Sequence, residues 1–513
     1  MTPHRTAAMV VSCLVIPAPG LAQMAIPANP ATNCTADIAA WFPEGITPDG
    51  TVTPPDSLGF TDAHGGDPSA CDFYNWGAQA FLWLMSPAED GRVIDSSAIF
   101  NVLPDDGGTR QFQRSTPGTR LTVALRAEKD DDVVGEIGQA GGGGVLLSQG
   151  GSLVHYGVHT NDLYGYFLTG QKATTGGIDP TPTMYPHNAA DMAALSAYMA
   201  SVSPSFVSAA PDTLVMELKT SWVDAATLAD ASGYITVPAR VPSYSANADN
   251  TAWTQEGRRD ITLALTGIHI AGTVQNHPEF VWATFEHVSN APDVAYSYTD
   301  DTGSLVQFPY DGSGDFVFLA TGADPASANV ECMKAQSGGA TGTIVAEIAA
   351  DGSPVCRGGI IASDTVRTRP WGSYPFGPSD VGTTVDRIAV TQVMVDQIVT
   401  NTTRLLSINA AVRGQLAPGD VRANYVQTGS IWTAPATPGG TAPVPDGNKP
   451  DESVLRGSLG LYNATMETYS FDSAPHCFSC HALFNGPENM FGTAQDPEQL
   501  SHIYEAIEPL TAP

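Results

Sequence analysis

Short apolar or alternating runs, separated by Gly, Asn and Asp, constrain the fold of this chain more than any other feature. They include 121–125, 144–148, 155–159, 214–219, 234–237, 261–270 and 280–288. Runs of this length bounded by turn residues are typical of antiparallel strands. The 51 Gly and 39 Pro among 513 residues supply the turns. The sequence therefore predicts an α+β protein whose body, residues 23–430, is a β-rich, antiparallel, sandwich-like structure.

Three stretches of the body have helical rather than strand-like spacing of apolar residues. Residues 71–85 predict a buried helix that ends before Pro87, and residues 189–202 predict a second one. Residues 381–415 predict a third, although Gln392 and Thr402 interrupt its apolar stripe. We expect these helices to cover the strands.

The charge of the chain excludes some classes of partner. Acidic residues outnumber basic ones by 53 to 22, which gives a formal net charge of −31. A nucleic-acid-binding protein would carry a basic surface, so this class is excluded. Attachment to an anionic lipid surface is disfavoured for the same reason. No stretch after the N-terminal region has about 20 consecutive apolar residues, so no transmembrane segment is predicted.

The first 22 residues predict a secretory signal peptide. His4 and Arg5 precede an apolar run from Thr6 to Ile16, and cleavage is expected near Ala22. The protein is therefore expected in the periplasm of a bacterium or outside the cell, where cysteines are usually oxidised or bound to a cofactor. Four body cysteines allow three pairings, and we favour the local ones, Cys34–Cys71 and Cys332–Cys356, because each closes a loop of moderate length.

Of the three other cysteines, Cys13 lies in the predicted signal peptide, and the last two belong to a motif that carries chemistry. Residues 477–481 read Cys-Phe-Ser-Cys-His, the spacing of a covalent haem attachment site. Two thiols three residues apart lie on one side of a helical turn, where they can add to the two vinyl groups of one porphyrin, and His481 can then bind the iron. A thioredoxin-like dithiol would need a βαβ pattern around it, and a zinc site would need a second Cys pair, but the sequence contains neither. A plain disulfide is the third alternative, and it would not need His481.

On these residues the C-terminal sixty positions resemble the c-type cytochromes. The resemblance implies one covalent haem c, attached through Cys477 and Cys480, with His481 as the proximal iron ligand. It also implies a small helical, cytochrome c-like unit, residues 454–513, which a Pro/Gly-rich linker at 431–453 joins to the body. Weak helical patterns at 455–469 and from Asp496 onward agree with such a unit.

The sixth ligand of the iron is left open by the sequence. Met490 and His502 are the leading candidates for the distal position, and Met466 and His269 are further ones. A Met ligand would raise the reduction potential, two His ligands would lower it, and an open position would favour ligand binding or peroxide chemistry.

A second group of candidate residues lies on the body at 269–287. In a regular strand His277, Glu279 and His287 would share one face, with Glu286 on the other. Two histidines and a carboxylate could bind a non-haem metal or donate protons near a haem edge. Polar side chains that only bond to neighbouring loops are the structural alternative.

Three functions are compatible with these patterns. The first is one-electron transfer by an exported mono-haem protein, whose partner is a redox protein or a small-molecule electron donor or acceptor. The second is a haem-dependent oxidoreductase that acts on peroxide or on a small substrate within the large body. The third is a binding module in which the haem is accessory. Electron transfer ranks first because it requires the motif alone.

Overall fold

The alternating runs of the body pair with one another to form one large sheet. The structure, a computed structural model, describes residues 23–62, 71–88, 91–103, 109–115, 121–122, 144–173, 178, 185–336, 343–385, 388–435, 453–469, 477–481, 500–501, 503–504 and 507–510. The predicted signal peptide, residues 1–22, lies outside this part of the chain.

The strands, in chain order, are β1 (Pro87–Ala88), β2 (Gly91–Arg92), β3 (Ile99–Val102), β4 (Phe112–Arg114), β5 (Leu121–Thr122), β6 (His155–Asn161), β7 (Met216–Asp224), β8 (Thr236–Ala246), β9 (Ala252–Val274), β10 (His277–His287), β11 (Tyr296–Thr299), β12 (Leu305–Phe308), β13 (Met333–Gln336), β14 (Thr343–Ala346), β15 (Thr384–Val385), β16 (Ile388–Ala389), β17 (Tyr425–Pro435) and β18 (Ser453–Gly457).

Twelve of these strands form the main sheet. Its central path runs β18-β17-β10-β9-β7-β6-β3-β4, and β8, β5, β14 and β13 branch from the long strand β9. The pairs are antiparallel except for β5 with β8. The prediction of a β-rich, antiparallel body is confirmed. The twelve strands form one branched sheet covered by helices and loops, however, rather than two sheets packed face to face, and the other six described strands form three separate pairs.

The helices are α1 (Cys71–Leu84), α2 (Asp162–Lys172), α3 (Ala189–Val202), α4 (Gln392–Gln415) and the single turn α5 (Cys477–Cys480). The predictions for α1 and α3 are confirmed. The sequence did not predict α2, because almost every residue of this helix is buried and it has no polar face to reveal a helical period.

The predicted third helix is correct from residue 392 onward and wrong before it. The Thr391 side chain accepts a hydrogen bond from the backbone N–H of Met394 and so caps the start of α4. The apolar residues Val385 and Ile388 lie instead in the small hairpin of β15 and β16, where they pair with each other.

One side of the main sheet, which we call the helix-covered face, packs against α1 and α4. Phe285 of β10 stacks on Phe81 of α1 with ring centroids 4.4 Å apart. Gly77 lets the helix backbone approach the sheet, because a Cβ atom there would lie 2.8 Å from the side chain of Ala283. Burial of these apolar side chains is the main source of stability on this side.

The other side of the sheet, which we call the tail-covered face, lies beneath α2, α3 and the described residues of the C-terminal segment, which we define as 453–510. Ala271, Trp282 and Ile431 lie side by side in the strand register and belong to a second apolar cluster with Phe478 and Leu500. Side chains alternate along a strand, so the two faces use alternate residues of the same strands.

Two disulfides are present, Cys34–Cys71 and Cys332–Cys356, as predicted. Such bonds indicate that the protein matures in an oxidising compartment. Among the described residues, no helix combines the length and the apolar character required to cross a membrane.

The C-terminal segment begins as part of the sheet. Residues 453–457, which were predicted to be linker or weak helix, form β18, which pairs with β17. Strand β17 itself continues to Pro435, into the predicted linker. The helix expected from Asp496 begins outside the described residues, and the division of the chain into a body, a linker and a haem unit stays a prediction.

Candidate functional site

Polar side chains cross the middle of the tail-covered face in three rows. In the strand register Lys219 lies opposite His269, and His269 lies opposite Thr284. Glu217 belongs to the row on one side of these residues, and Ser221 and Glu286 belong to the row on the other. We call this set the polar track, and its members are Glu217, Lys219, Ser221, His269, Thr284 and Glu286.

The C-terminal segment supplies a partner to each row of the polar track. Ser501 donates a hydrogen bond of 2.7 Å to Glu217 Oε2. The Thr465 hydroxyl lies 2.7 Å from that of Ser221, and the backbone N–H of Ala464 donates to Glu286 Oε1 at 3.0 Å. The segment is therefore held on the sheet by polar contacts in addition to apolar packing.

Close approach of the segment depends on a glycine of β9. A Cβ atom at Gly267 would lie 2.7 Å from the amide of Asn463. The Asn463 amide donates to the carbonyl of Phe285 on the neighbouring strand. A larger residue at position 267 would push the segment away from the polar track.

Glu467 is the charged centre of the middle row. Its Oε1 lies 2.9 Å from His269 Nε2 and 3.7 Å from Lys219 Nζ, and its Oε2 accepts from the backbone N–H of Asn463 at 2.7 Å. Burial favours the neutral acid, but His269, Lys219 and the N–H outweigh it and lower the pKa of Glu467 to about 2. Thr284 holds the other ring nitrogen of His269 at 2.6 Å.

The pKa of Glu217 is shifted in the opposite direction from that of Glu467. Burial raises its pKa to about 7, although Ser501, Arg110, Tyr164 and Lys219 all favour the charged form. Two carboxyl groups on one face thus differ in charge at slightly acidic pH: Glu467 is ionised and Glu217 is largely protonated.

His481 lies beside these groups and packs on Trp282. The two ring centroids are 4.2 Å apart, and the ring is partly buried. Burial lowers the pKa of His481 to about 3, so the imidazole is neutral at pH 7. The Leu500 carbonyl lies 2.9 Å from Nδ1. A carbonyl can only accept, so the proton is on Nδ1 and Nε2 carries the lone pair, which is the form that binds a metal.

The motif cysteines are the first and last residues of α5. Cys477 is partly buried, and its carbonyl accepts the backbone N–H of His481 at 3.0 Å, which continues the turn. Phe478 is fully buried, with its ring centroid 6.1 Å from that of Trp282. The backbone therefore brings Cys477, Cys480 and His481 into one helical turn on an apolar part of the sheet. This arrangement, together with the tautomer of His481, fits a covalently attached haem.

The structure bears on two of the four candidate distal ligands. Met466 is buried among the apolar residues of another cluster, which includes Tyr156 and Val223. Both ring nitrogens of His269 are engaged, by Thr284 and Glu467. Met490 and His502 lie outside the described residues.

The second predicted group of residues does not come together. His277 bonds to Glu279 at 2.9 Å, whereas His287, at the other end of β10, stacks on Tyr234 with centroids 3.7 Å apart. Glu286 forms an ion pair with Arg367. A shift of register between His277 and Val281 breaks the regular alternation on which the prediction rested. The described residues contain no group of three or more His, Cys, Asp or Glu that could hold a metal ion.

Several residues of this site were not predicted from the sequence. They are Glu217, Lys219, Trp282, Glu467, Leu500 and Ser501. They lie up to 284 positions apart in the chain, as Ser501 and Glu217 do. Only the strand register brings them to one place, so no local pattern could have indicated them.

No family model matches the sequence, no curated protein matches it, and no solved structure matches its fold. The resemblance to the c-type cytochromes is therefore wrong as a family assignment. The structure agrees with this correction, since the described part of the C-terminal segment is a strand, loops and one helical turn, with no metal-holding cluster of His, Cys, Asp or Glu.

Proposed function

We propose that the turn Cys477–His481 attaches one haem covalently and that the protein carries single electrons in an oxidising compartment outside the cytoplasm. The observation that carries this proposal is the hydrogen bond of His481 to the Leu500 carbonyl, which leaves the lone pair on Nε2. A bound haem would supply an iron that alternates between the ferrous and ferric states.

The chain contributes the attachment, one axial ligand and the surroundings. Cys477 and Cys480 provide the two thiols, and His481 provides a neutral imidazole at any pH well above 3. Trp282 and Phe478 supply an apolar wall, which would exclude water from a bound haem and influence its reduction potential.

Other observations support a location of the protein outside the cytoplasm. The two disulfides favour an oxidising compartment, and the first 22 residues have the pattern of a cleaved signal peptide. We propose a periplasmic or secreted protein. Its partner is a redox protein or a small electron donor or acceptor, and a basic surface on a protein partner would complement the net charge of −31.

Haem staining after denaturing electrophoresis, with a pyridine haemochrome spectrum, tests the attachment in a host that attaches haem to exported proteins. The double variant Cys477→Ala/Cys480→Ala should lose all covalent haem, because no thioether can form. Ser479→Ala is the matched control within the motif and should keep it. His481→Ala should keep the haem but change the Soret band, because an axial ligand is lost.

Two results would contradict this proposal. A colourless wild-type protein from that host, or covalent haem in the double cysteine variant, would refute the proposed function.

A further inference from the structure

A continuous series of aromatic rings leads from His481 into the interior of the protein. The ring of Trp282 lies 4.2 Å from that of His481, and Phe280 lies 5.8 Å from Trp282. Phe280 then stacks on Tyr185 at 4.4 Å with an angle of 7° between the ring planes. Tyr164 makes an edge contact with Tyr185 at 5.4 Å. Each distance is within the range of direct contact between aromatic side chains.

The central ring of this series is held by an unusual backbone. Phe280 has φ = +67°, a conformation that a bulky residue rarely adopts because it costs about 1–3 kcal/mol. It coincides with the shift of register between β9 and β10. The residue at this position is therefore fixed at an energetic cost, and its ring bridges Trp282 and Tyr185.

The series ends in a buried hydroxyl pair that has an acid beside it. Tyr164 and Tyr185 are both fully buried, and their hydroxyl oxygens are 3.0 Å apart. Ser501, which donates to Glu217 Oε2 at 2.7 Å, interacts with both phenols as well. Burial raises the pKa of both phenols well above 10, so neither loses its proton unaided. A phenol that gives up an electron must pass its proton to a nearby base, and Glu217 is the carboxyl group whose charge acts on both phenols.

We propose that Tyr164 and Tyr185 form an internal one-electron donor to the haem. This inference rests on the proposed function and extends it to a peroxide as the oxidant. Hydrogen peroxide takes up two electrons and two protons and becomes two water molecules. A bound ferrous haem would supply one electron as its iron becomes ferric, and the tyrosine pair would supply the other through the rings of Phe280 and Trp282. The two protons would come from solvent. The phenolic O–H bond breaks, its proton moves to the Glu217 carboxylate, and a neutral tyrosyl radical remains.

The charge around Glu217 sets the pH dependence of this step. Arg110 and Lys219 are the charged groups that act on Glu217, and Ser501 donates a hydrogen bond to it. Since the pKa of Glu217 is about 7, the carboxylate that accepts the proton predominates above this pH. We expect the yield of the radical to rise between pH 6 and pH 8.

Electron paramagnetic resonance of the reduced holoprotein, freeze-quenched after mixing with hydrogen peroxide, tests the proposal without measuring turnover. We expect a tyrosyl signal whose hyperfine structure narrows when the protein contains ring-deuterated tyrosine. In Tyr164→Phe/Tyr185→Phe the signal should be lost. In Glu217→Gln its yield should fall by at least about tenfold, because the proton acceptor is gone.

Tyr425→Phe is the matched control, since Tyr425 is a buried tyrosine of the helix-covered face whose hydroxyl donates to the Leu265 carbonyl. It should leave the signal unchanged. A wild-type holoprotein that gives no tyrosyl signal, or a signal of full yield in the double variant, would overturn the inference while the covalent haem, and so the proposed function, still stands. A protein without haem would instead refute the proposed function.

Discussion

The two faces of the main sheet are built from alternate residues of the same strands, yet they differ in what holds their covering elements. On the helix-covered face, Phe285 and Ala283 pack against α1 through apolar contacts. On the tail-covered face, the residues that alternate with them, Thr284 and Glu286, belong to the polar track. The comparison shows that one strand can contribute to an apolar core on one side and to a hydrogen-bonded polar surface on the other.

Removal of a large ring from the helix-covered face should lower the free energy of unfolding more than any other change considered. Phe81 is 2% exposed and contacts both Phe285 and Tyr425. Phe81→Ala should lower the free energy of unfolding by about 3–5 kcal/mol, because it leaves a cavity in the core. Urea unfolding followed by fluorescence measures the loss.

The matched control for that variant is Val393→Ala, at an exposed position of α4, which should change stability by less than about 0.5 kcal/mol. Covalent haem should be attached to both variants. A Phe81→Ala protein of wild-type stability would remove the distinction between the two faces.

Removal of a charge from the tail-covered face should cause an intermediate loss of stability, and this loss should depend on pH. Glu467→Gln should cost about 2 kcal/mol at pH 7, because His269 and Lys219 lose an ionised partner. The folded-state pKa of Glu467, about 2, lies below its ordinary value of 4.5. The contribution of this carboxylate is therefore present above pH 4.5 and is lost as the pH falls toward 2.

Denaturant unfolding at several pH values measures this difference. The two proteins should become equally stable near pH 2, and Glu256→Gln, at an exposed position of β9, should show no such dependence. A cost for Glu467→Gln that is constant between pH 7 and pH 2.5 would contradict the assigned role.

The smallest loss of stability is expected from Trp282→Phe, where an aromatic ring contacts the motif Cys477–His481. Among the described residues Trp282 Nε1 has no hydrogen-bond partner, so Trp282→Phe loses little and should cost less than about 1 kcal/mol. Trp282→Ala should cost several times more and should disturb the Soret band, because His481 loses the ring on which it packs. Equal costs for the two variants would show that ring packing is not what Trp282 contributes.

Local features could be predicted from the sequence, but the polar track could not. Helix α1 and the disulfide Cys34–Cys71 follow from spacing within one stretch of chain. The contact of His269 with Glu467 joins residues 198 positions apart and depends on the register of several strands. The prediction that His277 and His287 would share a face failed because a backbone irregularity at Phe280 cannot be foreseen from alternation.

In the candidate site, too, the local residues could be predicted from the sequence and a contact between distant residues could not. Cys477, Cys480 and His481 were found from the motif, since their spacing is local. The tautomer of His481 depends on a backbone carbonyl, at Leu500, and any residue type would supply that group. No property of the Leu500 side chain could therefore have indicated this contact.

The two disulfides set a sorting problem for the maturing protein. Four of its thiols must be oxidised, whereas the proposed attachment needs Cys477 and Cys480 to be kept as thiols in the same compartment. The bonded pairs span only 37 and 24 residues, so each can close soon after its second cysteine emerges during export. Because the motif emerges last, the order of synthesis itself separates the cysteines that cross-link the chain from those that would receive the porphyrin.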